Sequence, residues 1–259
     1  MNDYKSIQFE VVDAVATLTL NRPEFDNVLT AEMGNEIQQS MQEVAGDTRI
    51  RAVILTGAGR SFCIGREVSE GISPRSGDVA DFAQEGFDTL ASVRASRVPV
   101  VVAVNGIAAG TGFSLALCGD LLLAALSASF VQLPEQFGME PNLESGSLFR
   151  AVGRPGSPAM LKTDEPVAAE KALRWGLINE CLEGGELQTR AREWAEALAQ
   201  GPTRALVMTR QLVDEGTVNS FEEQFRRELQ TNRELRASYD GKEGVQAFLE
   251  KRPAQFSGK

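Results

Sequence analysis

An unbroken apolar run, Val98–Val104, restricts the possible folds of this chain more than any other segment. The run lacks the alternation of apolar and polar residues that marks a strand with one solvent-exposed face. A strand of this kind is covered on both faces, as is typical of the parallel sheets of α/β proteins. Because the run ends at Asn105-Gly106 and a short apolar segment follows, the sequence predicts a buried strand that turns into a helix.

Glycines surround the predicted start of that helix. Gly110 and Gly112 flank Thr111, and their missing side chains let a ligand approach the backbone closely. The start of a helix also carries unpaired N–H groups and a partial positive charge, which suit an anionic oxygen. Glycine-rich turns are common in α/β proteins, so this turn alone predicts a site only about as often as not.

A second loop of the same kind occurs earlier in the chain. The apolar segment Ala52–Thr56 is followed by Gly57–Glu67, in which Gly65 leaves the N–H of Arg66 approachable. Two such loops, each following a buried strand, predict a site where main-chain N–H groups face one ligand oxygen.

The composition excludes several kinds of active site. The 259 residues include no histidine, which excludes His-based triads, His general bases and His metal ligands. The cysteines are Cys63, Cys118 and Cys181, and their wide separation indicates neither a disulfide framework nor a zinc site. A formal net charge of −10 argues against a nucleic-acid partner.

The chain has no segment that approaches the roughly 20 apolar residues of a membrane span. Its first ten residues carry acidic side chains and no apolar core of a signal peptide. We therefore expect no membrane partner and a cytoplasmic location.

Strand and helix patterns alternate through most of the chain, whereas only helical patterns follow Glu186. Repeated alternation predicts an α/β core with largely parallel strands. The C-terminal helices are expected near 186–199, 202–215, 220–239 and 242–250. We therefore divide the chain into a core, 1–190, and a C-terminal helical region, 191–259.

Several motifs, taken in order, resemble the crotonase (enoyl-CoA hydratase/isomerase) superfamily over nearly the whole chain. They are Asn21-Arg22-Pro23-Glu24, Phe62-Cys63-Ile64-Gly65-Arg66-Glu67, Asn105-Gly106 with the Gly110–Gly112 turn, Asp120, Leu133-Pro134-Glu135 and Ala172–Ile178. The resemblance implies an α/β fold, the crotonase-like ββα superhelix, with a C-terminal helical trimerisation module. It also implies that the core, 1–190, binds an acyl-CoA thioester substrate, with no cofactor beyond that CoA. The helical region, 191–259, is the implied oligomerisation region of a homotrimer or of a hexamer built as a dimer of trimers.

The resemblance also implies roles for individual residues. The backbone N–H groups of Arg66 and Thr111 match the oxyanion-hole positions, and Glu135 matches an acid that transfers protons. Thr111 departs from the usual glycine, and its β-branched side chain restricts the backbone. The positions that match the substrate-binding segments are Arg22, Cys63, Ile64, Gly65, Gly110 and Ser114.

Ser114 stands where typical hydratases of the family carry their first glutamate. A hydroxyl is not a base near neutral pH unless another base assists it, and no histidine is available. Glu140 and Glu144 are substitute acids, although solvated loop glutamates are the more frequent explanation for such residues. Asn142 stands where ring-opening phenylacetyl-type isomerases carry an aspartate.

These features favour an enoyl-CoA isomerase, or a hydratase that works with one glutamate, with Glu135 in proton transfer. One alternative keeps the oxyanion hole but changes the reaction to decarboxylation, hydrolysis or C–C cleavage of an acyl-CoA. Another alternative is a non-catalytic acyl-CoA-binding homologue, because positions 114 and 142 are neutral.

Overall fold

A computed structural model describes residues 4–67, 79–132, 148–153 and 165–259, with only the backbone of 79–82. Ten strands form two sheets, and we number the strands β1–β10 in chain order. Their bounds are Ile7–Val12, Val15–Leu20, Ala52–Gly57, Ser61–Cys63, Val100–Val104, Ile107–Ala109, Leu121–Ala125, Ser129–Val131, Val167–Ala168 and Glu180–Leu182.

The larger sheet has six strands in the order β1-β2-β3-β5-β7-β10. The hairpin β1–β2 is antiparallel, and every other pair in this sheet is parallel. All five residues of Val100–Val104 are 0% exposed, so the prediction of a strand covered on both faces is confirmed.

The smaller sheet has the order β4-β6-β8-β9. Three times in succession, a strand of the larger sheet is followed in the chain by a strand of the smaller sheet. These successive strands are β3 and β4, β5 and β6, and β7 and β8. Helices follow the first two of these pairs. This repeated strand–strand–helix unit is the predicted ββα superhelix.

We number the helices of the described residues α1–α8. Their bounds are Ala31–Gly46, Val79–Arg94, Thr111–Ala116, Ala169–Arg174, Leu187–Gln200, Thr203–Gly216, Phe221–Ala237 and Tyr239–Glu250. A further helical stretch covers 148–153. The four predicted C-terminal helices are confirmed within a few residues at each end. Helix α5 crosses residue 190 and packs on β3 and β5, while the domain boundary at that residue stays a prediction.

The C-terminal tail is bound to the body of the protein by buried polar groups. Asp240, at the start of α8, is 4% exposed, and its carboxylate accepts the backbone N–H groups of Ser257 (2.7 Å) and Gly258 (2.8 Å). Arg51 donates to the carbonyl oxygen of Phe256 at 3.2 Å and to the Oγ1 of Thr203 at 2.6 Å. The tail therefore packs between the start of β3 and the C-terminal helices.

Within the part of the chain that the structure describes, no helix combines the length and the apolar character needed to cross a membrane.

Candidate active site

The two glycine loops predicted from the sequence lie against each other. A Cβ atom placed on Gly65 would lie 3.1 Å from the carbonyl oxygen of Ala109 and 3.7 Å from the backbone nitrogen of Thr111. Gly65 has a φ of +103°, a value that side chains of L-residues rarely allow. Glycine at position 65 therefore permits both the turn and the close approach of the two loops.

The backbone of Arg66 is oriented by a parallel bridge to Leu29. The N–H of Leu29 donates to the carbonyl oxygen of Gly65 at 2.7 Å, and the N–H of Glu67 donates to the carbonyl oxygen of Leu29 at 3.0 Å. In a bridge of this pattern, the central residue directs its own N–H and C=O to the opposite side. The N–H of Arg66 consequently points away from Leu29.

Thr111 is the first residue of α3 and is 3% exposed. The residue before it, Gly110, takes the unusual backbone angles, with φ 49° and ψ −126°. Thr111 itself has a negative φ. A β-branched residue therefore fits at position 111, because the glycine before it makes the turn.

Gly112 lets α3 pack directly on the first loop. A Cβ atom at this position would lie 2.2 Å from the carbonyl oxygen of Cys63. Burial raises the pKa of the Cys63 thiol to about 12, so this thiol stays protonated near neutral pH. Cys63 is a packing residue of the loop, with its Sγ 4.0 Å from the carbonyl oxygen of Gly65.

Two asparagines bind the backbone that leads to Gly65. The Nδ2 of Asn27 donates to the carbonyl oxygens of Ala58 and Ser61, both at 2.8 Å. The Nδ2 of Asn105 donates to the carbonyl oxygens of Gly59 (3.0 Å) and Ser61 (3.2 Å). The sequence predicts a turn at Asn105 and indicates no role for Asn27. The only sequence feature that could have indicated these contacts is the place of Asn105-Gly106 among the family motifs.

Asp26 supports the same loop from the outside. Its carboxylate accepts two hydrogen bonds from Arg60, at 2.7 and 2.6 Å, and one from the Oγ of Ser61 at 2.8 Å. These bonds, those of Arg60 first, lower the pKa of Asp26 to about 2. The carboxylate is therefore charged throughout the neutral range, where it accepts all three hydrogen bonds from the loop.

The side chains of the two predicted arginines have protein partners. The Arg66 side chain is 8% exposed and lies 3.2 Å from the Oε2 of Glu85 on α2. The Arg22 guanidinium lies 4.8 Å from the centre of the Phe25 ring and donates to the carbonyl oxygen of Val28 at 3.2 Å. Arg66 thus contributes its backbone to the junction of the loops, whereas its guanidinium packs on α2.

Ser114 lies one turn after Gly110 on α3 and is 4% exposed. Its Oγ donates to the carbonyl oxygen of Gly110 at 3.4 Å. Ile64 is half-buried next to Gly65. The structure thus brings together Cys63, Ile64, Gly65, Arg66, Gly110, Thr111 and Ser114.

Glu135 lies outside the described residues, as do Glu140, Asn142 and Glu144. Their predicted roles therefore remain predictions. Among the described residues, no cluster of three or more Cys, Asp or Glu side chains is arranged to hold a metal ion.

Comparison with known proteins gives a consistent result. The family model for enoyl-CoA hydratase/isomerase matches residues 10–259. A 1,2-epoxyphenylacetyl-CoA isomerase of Escherichia coli is 36% identical over 254 residues, which cover 96% of this chain and 97% of that protein. An (E)-benzylidenesuccinyl-CoA hydratase of Thauera aromatica is 32% identical over 257 residues, with 97% and 99% covered.

Comparison with solved structures points to the same family as comparison of the sequences. The crystal structure of an enoyl-CoA hydratase from Bacillus anthracis matches with a TM-score of 0.92 and 27% sequence identity. The match covers 98% of this chain and 100% of that one. The similarity therefore extends through both sheets and the C-terminal helices.

Proposed function

Because the chain belongs to the enoyl-CoA hydratase/isomerase family and is an enzyme of acyl-CoA thioesters, we propose that it stabilises a thioester enolate between two backbone N–H groups. The donors are the N–H groups of Arg66 and Thr111. An oxyanion-hole donor of this kind typically contributes about 3 kcal/mol to the rate. The thioester oxygen accepts both hydrogen bonds as negative charge develops on it.

One observation carries this proposal: the close approach of Gly65 to Thr111. A Cβ at Gly65 would lie 3.7 Å from the Thr111 nitrogen, so the two donor peptides come from separate loops that meet at this point. The Leu29 bridge adds direction, because it turns the N–H of Arg66 away from Leu29. Main-chain donors need no particular side chain, so the ion pair between the Arg66 side chain and Glu85 is compatible with this role.

Glu135 moves the proton in this proposal. Ser114 is neutral and bonded to its own helix, so it supplies no second carboxylate. A single carboxylate is sufficient to remove a proton from one carbon of an enoyl chain and return it to another. Hydration needs an additional group to orient and deprotonate water. We therefore place isomerisation first and hydration second, and neither reaction requires a cofactor other than the CoA of the substrate.

The names of the relatives favour testing both reactions. One relative is an isomerase of a phenylacetyl-type CoA thioester, and another is a hydratase of a benzylidene-type CoA thioester. We propose that the CoA portion binds along the backbone of 61–66 and near Arg22. Cys63, Ile64, Gly65, Gly110 and Ser114 surround the thioester end of this path.

The test follows the ultraviolet absorbance of the conjugated enoyl thioester with a 3-enoyl-CoA and a 2-enoyl-CoA in parallel. Rising absorbance from the 3-enoyl-CoA identifies isomerisation, and falling absorbance from the 2-enoyl-CoA identifies hydration. We expect Glu135→Gln to lower turnover at least 100-fold while both thioesters still bind. The matched control is Glu165→Gln, at an exposed glutamate, which should retain full activity.

Binding without any change in absorbance would contradict the enoyl reaction. In that case, release of CO2 or of CoA from a malonyl-type or β-keto thioester would identify the decarboxylase or hydrolase alternatives. Binding without any turnover would identify the non-catalytic homologue.

We also propose that the C-terminal helices join copies of this chain into a homotrimer, or a hexamer of two trimers. Phe221 is 86% exposed, Phe248 82% and Val218 75%, and these residues lie within or next to α7 and α8. Large apolar side chains with such exposure are typical of a surface that another protein covers. The three cysteines form no disulfide, in keeping with our proposal of a cytoplasmic location.

A further inference from the structure

Gln132 is a buried glutamine whose side chain has no hydrogen-bond partner among the described residues. The residue is 5% exposed, and neither its Oε1 nor its Nε2 is bonded to any group in the described parts of the chain. Buried amide groups are nearly always paired, because an unpaired one loses its bonds to water without replacement. Because the amide has no partner among the described residues, its donors and its acceptor are available to a ligand group.

The position of Gln132 places it at the junction of the two loops. Strand β8 runs parallel to β6, with Val131 opposite Ala109. The N–H of Gly110 donates to the carbonyl oxygen of Val131 at 3.1 Å. The hydrogen bonds between β6 and β8 therefore continue to Val131, the last residue of β8. Gln132 is the residue after Val131 in the chain. It therefore lies next to the Gly110 turn, which precedes Thr111.

Continuing the alternation of β8, Ser129–Val131, by one residue directs the side chain of Gln132 toward the layer of α3. Side chains two residues apart on a strand share a face, which places Gln132 on the face of Phe130. The Phe130 ring packs against Phe113 of α3, with 5.4 Å between the ring centres. Gln132 comes after Phe130 in the direction of Gly110, where α3 begins, and Ser114 lies on the same short helix.

The chemistry of the amide defines the ligand group. An unpaired glutamine offers two N–H donors and an acceptor oxygen. A hydroxyl group both donates and accepts, so it satisfies both ends of such an amide, whereas an alkyl chain satisfies neither. We propose that Gln132 binds a hydroxyl substituent on the acyl chain beside the thioester and is a specificity-determining residue of the site. This inference rests on the proposed function, because it assumes that an acyl-CoA occupies the junction.

The orphaned amide also has a cost to the free protein. A variant that replaces it with an apolar side chain of similar shape removes an unpaired polar group, which is neutral or stabilising. Replacing a glutamine whose hydrogen bonds stabilise the fold has the opposite effect and lowers stability. Gln188 is such a residue, because its Nε2 donates to the Oγ1 of Thr56 at 2.9 Å.

The experiment measures binding of two CoA thioesters of equal chain length, one saturated and one carrying a 3-hydroxyl group, by calorimetry. The proteins are the native chain, Gln132→Met and the control Gln188→Met, and thermal unfolding is recorded for each. We expect Gln132→Met to weaken the hydroxyacyl thioester about tenfold, the contribution of one to two hydrogen bonds, and to leave the saturated thioester unchanged. Its melting temperature should equal or exceed that of the native chain, whereas Gln188→Met should melt lower.

Equal weakening of both thioesters, unchanged affinity for both, or a lowered melting temperature of Gln132→Met would overturn the inference. If the native chain binds neither thioester, the proposed function itself fails, and the inference fails with it. The saturated thioester thus separates the two failures, since its binding tests the CoA site independently of Gln132.

Discussion

The backbone of Gly65 packs against the backbone nitrogen of Thr111, and no side chain separates the two loops at this point. Each residue alone is a minor feature of the sequence, a glycine in a loop and a threonine at a helix start. Their contact brings two distant segments together at the proposed oxyanion hole. The geometry depends on a φ of +103° at Gly65, which makes this residue the most sensitive position of the proposed site.

We therefore expect Gly65→Ala to disable the site. The new Cβ would lie 3.1 Å from the carbonyl oxygen of Ala109, and the backbone would keep an unfavourable φ. Loss of one aligned donor typically lowers the rate about 100- to 1,000-fold. Strain of this kind costs about 1–3 kcal/mol. Initial rates with the enoyl thioesters and thermal unfolding check both effects.

Gly184→Ala is the matched control, because a Cβ there meets nothing within 4 Å and the backbone needs no positive φ. It should leave activity and melting temperature near those of the native chain. Full activity in Gly65→Ala would contradict the proposed oxyanion hole.

Asp26→Asn should weaken the first loop in a way that depends on pH. The folded-state pKa of Asp26, about 2, lies below the ordinary aspartate value of 3.8, so the carboxylate stabilises the folded protein above about pH 4. That contribution is lost as the pH falls from about 4 toward 2. Urea unfolding of the native chain and the variant at several pH values measures the difference. The difference should be largest near neutral pH and should vanish near pH 2.

A constant difference across that pH range would show that charge on Asp26 does not matter. Asp88→Asn, at an exposed aspartate on α2, is the control and should change stability little at any pH.

Asp240→Ala should release the C-terminal tail. The variant leaves the N–H groups of Ser257 and Gly258 without their acceptor, at a cost of roughly 1–3 kcal/mol. Hydrogen exchange of the peptide that covers 253–259 should become faster, while exchange in β5 should stay slow. Glu222→Ala changes an acidic residue whose side chain is 82% exposed and should alter neither. Slow exchange in the tail of the Asp240 variant would mean that other contacts bind it.

Phe221→Glu combined with Phe248→Glu should separate the subunits. The two changes place charges on side chains that are 86% and 82% exposed in the isolated chain and are buried in the proposed oligomer. Sedimentation velocity should show a trimer or hexamer for the native chain and smaller species for the variant. Val11→Glu, at a 41% exposed side chain on the edge strand β1, should keep the native assembly. A native chain that sediments as a monomer would refute the proposed assembly.

The sequence predicted the parts of this protein that depend on local patterns. The apolar run before Asn105 forms the predicted buried strand, and Thr30 caps α1 by accepting the N–H of Met33 at 3.2 Å, a position at which threonine is favoured. The two glycine loops were located by their composition and by resemblance to the family. These features are short-range, so one segment of sequence contains the information.

The sequence did not predict the contacts that assemble the site. The roles of Asn27 and Asp26 depend on bonds to residues more than 30 positions away, including Ser61. The orphaned amide of Gln132 is a property of packing from several elements. Such features have no local signature, because any loop asparagine or strand glutamine looks the same in the sequence.

The strand order of the larger sheet has a consequence for synthesis of the chain. Each new strand from β1 to β10 joins the edge left by the strand before it in that sheet, so no later strand is inserted between earlier ones. A growing chain is made from its N-terminus, and here the sheet is able to extend in the order in which the ribosome delivers its strands. Helix α5 covers β3, β5 and β7 and is translated after all of them. The residues of β3, β5 and β7 that α5 contacts therefore stay without this helix as cover until residue 200 has left the ribosome.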